Sequence, residues 1–336
     1  MNVTRPNLAA RWAGFSETGE GDGPARAPPD VVLVSMQINK LKSVNTKEQT
    51  YTLDVWQRVI WHDARLTFDA SCLQLDQLGA MGVSEGFADA IWKPDLYSRS
   101  ATTRAEVEHS TIFVSPGGRV WWLRKMVWKL GCSMNFEHVP FDVHNCTMEI
   151  ASFTNDKSEI NLQFPSELPI QVASSVESVH QKTNETLDGP ISPVCIRGGS
   201  VDFYLIGISG TASYMMGASG ESLSVADASF LSYHFVFKRD PDFYIKFRLV
   251  PLLLLVSMAY LSFFISRAAV PARVSLVMVV FLTISGMING ALTDLPKSGG
   301  YVWLLDLEII ALLFIFGAVL ECACSKSNAR HAHTQV

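Results

Sequence analysis

The chain has 336 residues, of which 48% are hydrophobic and 18% are charged, and its formal net charge is -5 at pH 7. This composition excludes disordered and collagen-like proteins, and the weak negative charge gives no general reason to expect a nucleic-acid partner. Charge is unevenly spread, because only six acidic or basic residues lie between Leu249 and Leu320, namely Arg267, Arg273, Asp294, Lys297, Asp306 and Glu308. We therefore expect a membrane-embedded part joined to a soluble part.

Residues 1–30 are rich in glycine, proline and charge and contain no long apolar run. We predict that they form an N-terminal lead-in, either flexible or a short helix. From Val31 onward, short segments such as TYTLDVWQRVIW and FLSYHFVFK alternate apolar with polar residues between Gly, Pro, Asn and Asp. This spacing over residues 31–243 predicts one immunoglobulin-like β-sandwich of about ten strands.

Three apolar stretches follow, at about residues 244–266, 271–293 and 299–321. An α-helix rises about 1.5 Å per residue, so each stretch is long enough to cross a hydrocarbon core of ~30 Å. We predict a bundle of three transmembrane helices over residues 244–321. The alternative is a helical core in a soluble protein.

The basic residues predict an orientation for this bundle. Arg267 lies between the first and second stretches, Arg273 lies at the start of the second, and a lysine and an arginine follow the third. The positive-inside rule places these ends in the cytosol, together with a tail at 322–336. The predicted fold class is therefore a multi-pass plasma-membrane protein, with an extracellular β-sandwich followed by a transmembrane α-helical bundle.

Two of the six cysteines fall in the predicted tail and four lie outside the cell. Four external cysteines allow three sets of pairings. Joining Cys132 to Cys146 would close a loop around thirteen residues, which is worth roughly 3 kcal/mol of stability. Cys72 and Cys195 could form a second bridge.

Asn2, Asn145 and Asn184 each begin an N-x-Thr tripeptide. These glycosylation sequons suit an exported domain, although such tripeptides also occur by chance. We predict Asn145 and Asn184 as glycosylation sites.

Enzyme motifs are absent from the sequence. Its eight histidines form no H-E-x-x-H, its cysteines form no C-x-x-C pattern, and no G-x-S-x-G or phosphate-binding glycine loop occurs. Cys322-Ala-Cys324 and His331-Ala-His333 could hold a metal, but a polar terminal tail is the simpler interpretation. We predict no enzymatic activity, no metal site and no cofactor.

Six short motifs occur one after another along the chain. They are Trp61-His62-Asp63-Ala64-Arg65-Leu66, Trp92-Lys93-Pro94-Asp95, Val139-Pro140-Phe141-Asp142, Arg239-Asp240-Pro241, Pro251 and Pro271-Ala272-Arg273-Val274. Together with the two-cysteine loop and the third apolar stretch, they resemble the Cys-loop receptors, the pentameric ligand-gated ion channels. The resemblance covers Val31 to about Glu321.

The resemblance implies a neurotransmitter-receptor-like channel of five identical or related subunits, surrounded by lipid. A small-molecule agonist would bind between ectodomains and open a pore for ions. Family members have a fourth membrane helix, whereas this sequence ends fifteen residues after Glu321. We expect that helix to be lacking or cut away.

One face of the second stretch carries a graded row of side chains at helical spacing, namely Ser275, Val279, Leu282, Gly286, Asn289 and Thr293. The resemblance points this row at the pore, with Leu282 at the family's central leucine. Val279 lies where many relatives have a hydroxyl residue. Two apolar rings would let the pore close by dewetting, and the alternative is that both residues face lipid.

Residues at the two mouths of the predicted pore bear on charge selection. Pro271, Ala272 and Arg273 resemble the cytosolic mouth of anion-conducting relatives. Asp294, at the outer mouth, would instead concentrate cations. We predict anion selectivity, with a cation-selective channel as the alternative.

The resemblance also implies an aromatic agonist site. Tyr97 and Phe153 match aromatic residues of the principal subunit, and Trp56 matches the tryptophan of the complementary subunit. Arg99 could meet a carboxylate of the ligand. Sheet packing or solvent exposure is the alternative for each of these residues.

Tyr214 and Phe230 flank the segment predicted to cap this site. The segment MMGASGESLSVADAS lacks the aromatic tip and the adjacent cysteine pair of many relatives. We therefore expect a ligand other than acetylcholine or a simple amine.

The resemblance assigns coupling between the two parts to residues at the membrane boundary. These are Pro140, Phe141 and Asp142 in the cysteine loop, Arg239 before the first helix and Pro296 after the pore helix. We predict an ion pair between Asp142 and Arg239, and the alternative is two solvent-facing charges.

Two other functions remain open. The chain could be a non-conducting or obligate-partner subunit of the same family, or a membrane-anchored adhesion sandwich. One anchor helix would suffice for adhesion, so three closely linked spans favour a channel.

Overall fold

The computed structural model describes residues 5–6, 28–71, 79–166, 170–172, 192–197, 203–215, 228–266, 269–294 and 302–333. These ranges contain twelve strands, namely β1 (Asp30–Asn45), β2 (Thr50–His62), β3 (Met81–Gly82), β4 (Leu96–Ser98), β5 (Glu106–Val114), β6 (Arg119–Gly131), β7 (Val143–Ser152), β8 (Ile160–Gln163), β9 (Ile170–Val172), β10 (Ser192–Arg197), β11 (Phe203–Met215) and β12 (Ala228–Arg239). They also contain a short helix α1 (Glu85–Ala88) and three long helices described below.

The strands form two sheets. One has seven strands in the order β3-β5-β6-β2-β1-β8, with β9 also paired to β1, and the other has the order β10-β11-β12-β7-β4. Neighbouring long strands are antiparallel, whereas β8 and β9 pair with β1 in parallel. The predicted β-sandwich is confirmed. The strands beyond the predicted ten include two- and three-residue segments, which are too short to show alternation in the sequence.

The sandwich core follows from this alternation. Along β2 every second side chain is buried, from Tyr51 to Trp61, and the side chains between them are more exposed. The ring of Tyr51 lies 5.1 Å from that of Phe237 and 5.9 Å from that of Phe235, both on the facing sheet. Burial of each such side chain stabilises the fold by roughly 1.5–3 kcal/mol.

Three long helices follow the sandwich: α2 (Asp242–Phe264), α3 (Val270–Asp294) and α4 (Trp303–His333). Helix α2 includes a π-helical turn at Ile245–Leu249 and ends in a 3-10 turn at Ser262–Phe264. The helices pack through a shared apolar cluster, made of Leu252, Ala259, Val277, Val280, Ile284, Ala311, Ile315 and Ala318.

Each of the three helices has an apolar segment long enough to cross a membrane, and at most 28% of any such segment is buried within the chain. The exposed apolar surface suits contact with lipid or with further protein. Helix α4 ends at His333, beyond the predicted end near 321. The sequence from Glu321 to His333 becomes polar but contains no glycine or proline, so the apolar run ends while the helix continues.

The sandwich and the bundle are in contact. Strand β12 ends at Arg239, and α2 begins three residues later. Tyr244 at the start of α2 and Val302, Trp303 and Leu304 at the start of α4 pack against the sandwich core. The cysteine loop between β6 and β7 reaches the same boundary, because Asp142 within it bonds to Arg239.

Candidate functional site

The cysteine loop is closed by a disulfide between Cys132 and Cys146, whose Cα atoms are 5.1 Å apart. This confirms one of the pairings that the sequence left open. Phe136 and Val139 anchor the loop in the core, whereas Phe141 is exposed. Pro140, next to Phe141, follows a cis peptide bond.

Asp142 and Arg239 form the predicted ion pair at the junction of sandwich and bundle. Both are buried, at 3% and 2% exposure. Arg239 Nε donates to Asp142 Oδ1 at 2.6 Å and Nη2 donates to Oδ2 at 2.9 Å. The alternative of two solvent-facing charges is therefore wrong, because the cysteine loop folds directly over the end of β12.

Two further residues complete this cluster. His144 Nε2 hydrogen-bonds to Asp142 Oδ2 at 2.6 Å, and Arg239 Nη1 donates to the hydroxyl of Tyr244 at 3.0 Å. Burial opposes ionisation of Asp142, but hydrogen bonds from His144 and Arg239 and the guanidinium charge outweigh it, so the pKa of Asp142 falls to about 2. Sequence reasoning missed His144, although it lies two residues after Asp142.

Asp95 organises the predicted principal side of the agonist site. Its carboxylate accepts hydrogen bonds from Ser152 Oγ at 2.5 Å, from Thr154 N and Oγ1 at 2.7 and 2.6 Å, and from Asn155 Nδ2 at 3.0 Å. Burial would raise the pKa of Asp95, but these hydrogen bonds outweigh it and lower the pKa. The bonds fix residues 152–155 beside β4.

An aromatic patch lies on the outer face of the five-stranded sheet, and we define it as Tyr97, Phe153 and Phe230. Tyr97 and Phe230 are each directly opposite Ala151 in the strand register, so their side chains share one face. The next residues along the two strands, Ser98 and Leu231, are buried, so the shared face is the outer one. The rings of Tyr97 and Phe153 lie 5.5 Å apart, nearly perpendicular. Phe153 is 76% exposed, although it makes this ring contact. The structure thus brings together three of the predicted ligand residues.

The other predicted ligand residues are not part of this patch. Trp56 is on the outer face of the other sheet, where β2 pairs it with Gln37 and Lys125. Arg58 lies on the same face and donates to Gln37 Oε1 at 2.8 Å. Arg58 and Trp56 share this face because they are two residues apart along β2.

Arg99 and Tyr214 border the same sheet as the aromatic patch. The guanidinium of Arg99 lies 3.6 Å from the carboxylate of Glu149, so it is not a free cation. Tyr214 pairs with Ser229 through the backbone, and its side chain falls outside the described parts of the chain.

The predicted pore row lies on the face of α3 opposite the bundle contacts. Val279 and Leu282 are 63% and 65% exposed, and Ser275, Gly286 and Asn289 are also exposed. Val277, Val280 and Ile284 point into the bundle instead. Thr293 and Asp294 end the helix, and their side chains are not among those described.

Arg273 faces the bundle and not the pore row. Its Nε donates to the carbonyl of Ser262 at 3.1 Å and its Nη2 donates to Glu321 at 3.1 Å, whereas Pro271 and Ala272 are exposed. Spacing could have predicted this, because Arg273 precedes Val277 by four residues and thus shares the buried face.

A second charge cluster lies inside the bundle. Arg248, in the π-helical turn of α2, lies 3.6 Å from Glu308 on α4. It also donates through Nη2 to the carbonyl of Met287 on α3 at 2.6 Å. The cluster joins all three helices, and sequence reasoning missed it because its members come from three separate segments.

Several predicted residues lie outside the described parts of the chain, namely Cys72, Asn184 and Pro296. Cys195 lies in β10, but its side chain is not described. Asn145 is exposed on β7, next to the disulfide.

Two protein families match the chain, and each match falls on one part of the fold. Residues 23–189 match the neurotransmitter-gated ion-channel ligand binding domain, and residues 248–335 match the neurotransmitter-gated ion-channel transmembrane region. The two matches cover most of the chain, in the order of sandwich and bundle. This family is one of membrane channels with an extracellular ligand-binding domain and is not an enzyme family. The chain therefore belongs to the Cys-loop receptor family of neurotransmitter-gated ion channels.

Proposed function

We propose that this chain forms a pentameric, agonist-gated, anion-selective channel in the plasma membrane, with residues 31–243 outside the cell, residues 244–321 in the membrane and the tail 322–336 in the cytosol. The agonist is a small molecule held between neighbouring sandwiches. The pore is lined by α3.

The distribution of aromatic residues over the sandwich carries this proposal. The patch of Tyr97, Phe153 and Phe230 lies on the outer face of one sheet, and Trp56 lies on the outer face of the other. A single chain keeps these surfaces apart, so a box containing all four rings requires two adjacent subunits. Aromatic faces of this kind attract cationic groups of a ligand, and Arg58 adds a positive charge on the same outer face as Trp56.

Agonist titration of variants tests this site. Currents would be recorded with a panel of amino-acid and amine transmitters, and the half-maximal concentration of the active compound would be compared among variants. We expect Tyr97→Ala and Phe153→Ala to raise that concentration about tenfold or more, the equivalent of about 1.4 kcal/mol. Phe87→Ala, at an exposed phenylalanine of α1, is the control. Unchanged potency in both test variants would remove the site.

The exposed row on α3 supports a pore that closes by dewetting. Val279 and Leu282 have no hydrogen-bonding group to hold water, and their side chains project from the bundle. Leu282→Thr should open the channel without agonist or at lower agonist concentration. Met278→Thr, at another exposed apolar position of the same helix, should do so less.

Anion selectivity rests on the N-terminus of α3. The charge of Arg273 is offset by Glu321, and the dipole of α3 adds positive potential at that mouth. This pairing also keeps a second candidate open, a cation-selective channel that uses Asp294 at the other mouth. Reversal potentials decide between them, because a shift that follows chloride supports an anion channel and a shift that follows only sodium contradicts it.

The mass and symmetry of the purified particle test the assembly. A five-fold ring of this chain alone is expected for a homopentamer. A ring that forms only with a related chain would favour an obligate-partner subunit, and a monomer would contradict the proposal.

A further inference from the structure

A pair of polar side chains faces the interior of the sandwich. One of them, Gln57, directly follows the predicted agonist residue Trp56 but lies on the opposite face of the sheet. Gln57 on β2 and Arg124 on β6 are directly opposite each other in the strand register. Both occupy core-facing rows, among Val55, Val59 and Met126, and they are 0% and 8% exposed. An arginine is rarely buried to this extent unless it is paired.

Arg124 has no acidic partner among the described residues. Its Nη2 donates to Gln57 Oε1 at 2.6 Å, and its guanidinium stacks on the ring of Trp122, 3.8 Å from the centroid. The Nε of Arg124 and the Nε2 of Gln57 are both buried and make no hydrogen bond. The two side chains that share this hydrogen bond thus keep two unmatched donor groups and an uncompensated positive charge.

Arg124 remains charged in this environment. Burial lowers its pKa to about 10, which is still far above neutral pH. A neutral amide oxygen and one face of an indole replace only part of the hydration that a buried guanidinium loses. The missing component is a negative charge that accepts hydrogen bonds and donates none.

The approach to this pair is also positive. Trp122 is partly exposed, and its indole N–H donates to Ser110 on β5 at 2.8 Å. Lys93 Nζ lies 5.9 Å from the centroid of the same ring. Strand β5 is exposed over residues 106–111, and in the described parts of the chain its outer edge is paired only near its end. Trp122, which stacks on Arg124, thus lies at the surface with a second cation, Lys93, beside it.

We propose that each ectodomain binds one small monovalent anion, a halide or a short carboxylate, against Arg124 and Gln57. The anion accepts hydrogen bonds from Arg124 Nε and Gln57 Nε2 and balances the guanidinium charge. The site lies within one subunit and is separate from the agonist site between subunits. Water could accept the same hydrogen bonds but would leave the charge uncompensated, and sulfate or phosphate would bring more charge than one guanidinium balances.

Thermal unfolding of the purified full chain in detergent tests this proposal. Sodium gluconate, whose anion is too large for the interior, would be replaced stepwise by sodium bromide or sodium formate at constant ionic strength. The unfolding midpoint of the wild type should rise with the logarithm of the small-anion concentration once that exceeds the dissociation constant. The anion that acts at lower concentration identifies the occupant as a halide or a carboxylate.

Arg124→Met should abolish this dependence, because an apolar chain of similar length replaces the buried charge. Arg119→Met is the matched control, since Arg119 lies on the same strand and stacks on Trp121 at 5.3 Å but is exposed. Diffraction from bromide-soaked crystals should also show an anomalous peak beside Arg124. A wild type with equal midpoints in every salt, or an Arg124→Met variant that keeps the dependence, would overturn the proposal.

A second variant covers the case in which Arg124→Met does not fold. Gln57→Leu retains the guanidinium and removes one donor, so roughly tenfold more bromide or formate should be needed for the same midpoint. An unchanged concentration dependence in Gln57→Leu, together with no bromide peak, would also overturn the proposal.

Discussion

Two arginine–carboxylate pairs, one at the junction of sandwich and bundle and one inside the bundle, differ in geometry. At the boundary, Arg239 makes two parallel hydrogen bonds to Asp142, at 2.6 and 2.9 Å. Inside the bundle, Arg248 approaches Glu308 only to 3.6 Å, and neither oxygen of Glu308 accepts a hydrogen bond. The first pair is matched in geometry as well as in charge, whereas the second is matched in charge alone.

The difference indicates that the Asp142–Arg239 pair is held in one arrangement, whereas the Arg248–Glu308 pair can change its contacts. The boundary pair joins the cysteine loop to the end of β12, and its remaining groups bond to His144 and Tyr244. In the bundle, Arg248 instead bonds most closely to the backbone of α3, at the carbonyl of Met287. We infer that the boundary pair transmits movement rigidly, and that the bundle pair can exchange Met287 for Glu308 when α3 moves.

Asp142→Asn should have the largest effect on stability. The substitution keeps the shape but leaves Arg239 buried without a counter-charge, which typically costs about 3–5 kcal/mol. Chemical denaturation of the purified wild type and variant would measure the loss. The double variant Asp142→Leu/Arg239→Met should recover much of it, because no buried charge remains. A loss below about 1 kcal/mol in Asp142→Asn would show that the pair is unimportant for folding.

The same pair predicts an acid-sensitive component of stability. The pKa of Asp142 is lowered from 3.8 to about 2, so the folded state favours the ionised carboxylate. This contribution is complete above pH ~4 and is lost as the pH falls toward 2, at about 1.4 kcal/mol per pKa unit, or roughly 2–3 kcal/mol in total. Unfolding measured between pH 2 and 5 should show this slope in the wild type. Asp142→Asn should lack that part of the slope, and an identical slope in both proteins would contradict the assignment.

The contrast between the two pairs also explains how far the sequence could predict the site. The Asp142–Arg239 pair was predictable because each residue belongs to a motif of the family. Alternation placed Gln57 and Arg124 on inward-facing rows, but only the register of β2 with β6 sets them opposite each other. The approach of Arg248 to Glu308 depends on how α2 packs against α4, which no local pattern encodes. The strands and spans were predictable from periodicity and length, and the contacts between distant segments were not.

Tyr244→Phe should have a smaller effect than either change at Asp142. It removes only the hydroxyl that accepts a hydrogen bond from Arg239 Nη1 at 3.0 Å and leaves the ring in place. We expect a loss of about 1–2 kcal/mol in the free energy of unfolding, because the bond involves a charged donor. Phe243→Leu, at the adjacent exposed aromatic residue, is the control. A loss as large as that of Asp142→Asn would mean that the hydroxyl, and not the ion pair, stabilises the contact between the cysteine loop and the end of β12.

Glu308→Gln should have the smallest effect, even though it makes the same chemical change as Asp142→Asn. Glu308 is as buried as Asp142, but its oxygens make no hydrogen bond that the substitution could break. Arg248 keeps its 2.6 Å bond to the carbonyl of Met287, and the neutral amide removes the cost of burying a carboxylate. We expect the free energy of unfolding to change by less than about 1 kcal/mol. The agonist concentration for half-maximal opening should shift, because a neutral amide attracts the guanidinium of Arg248 less strongly than a carboxylate does. A loss of stability equal to that of Asp142→Asn would show that charge alone, and not hydrogen-bond geometry, determines the strength of both pairs.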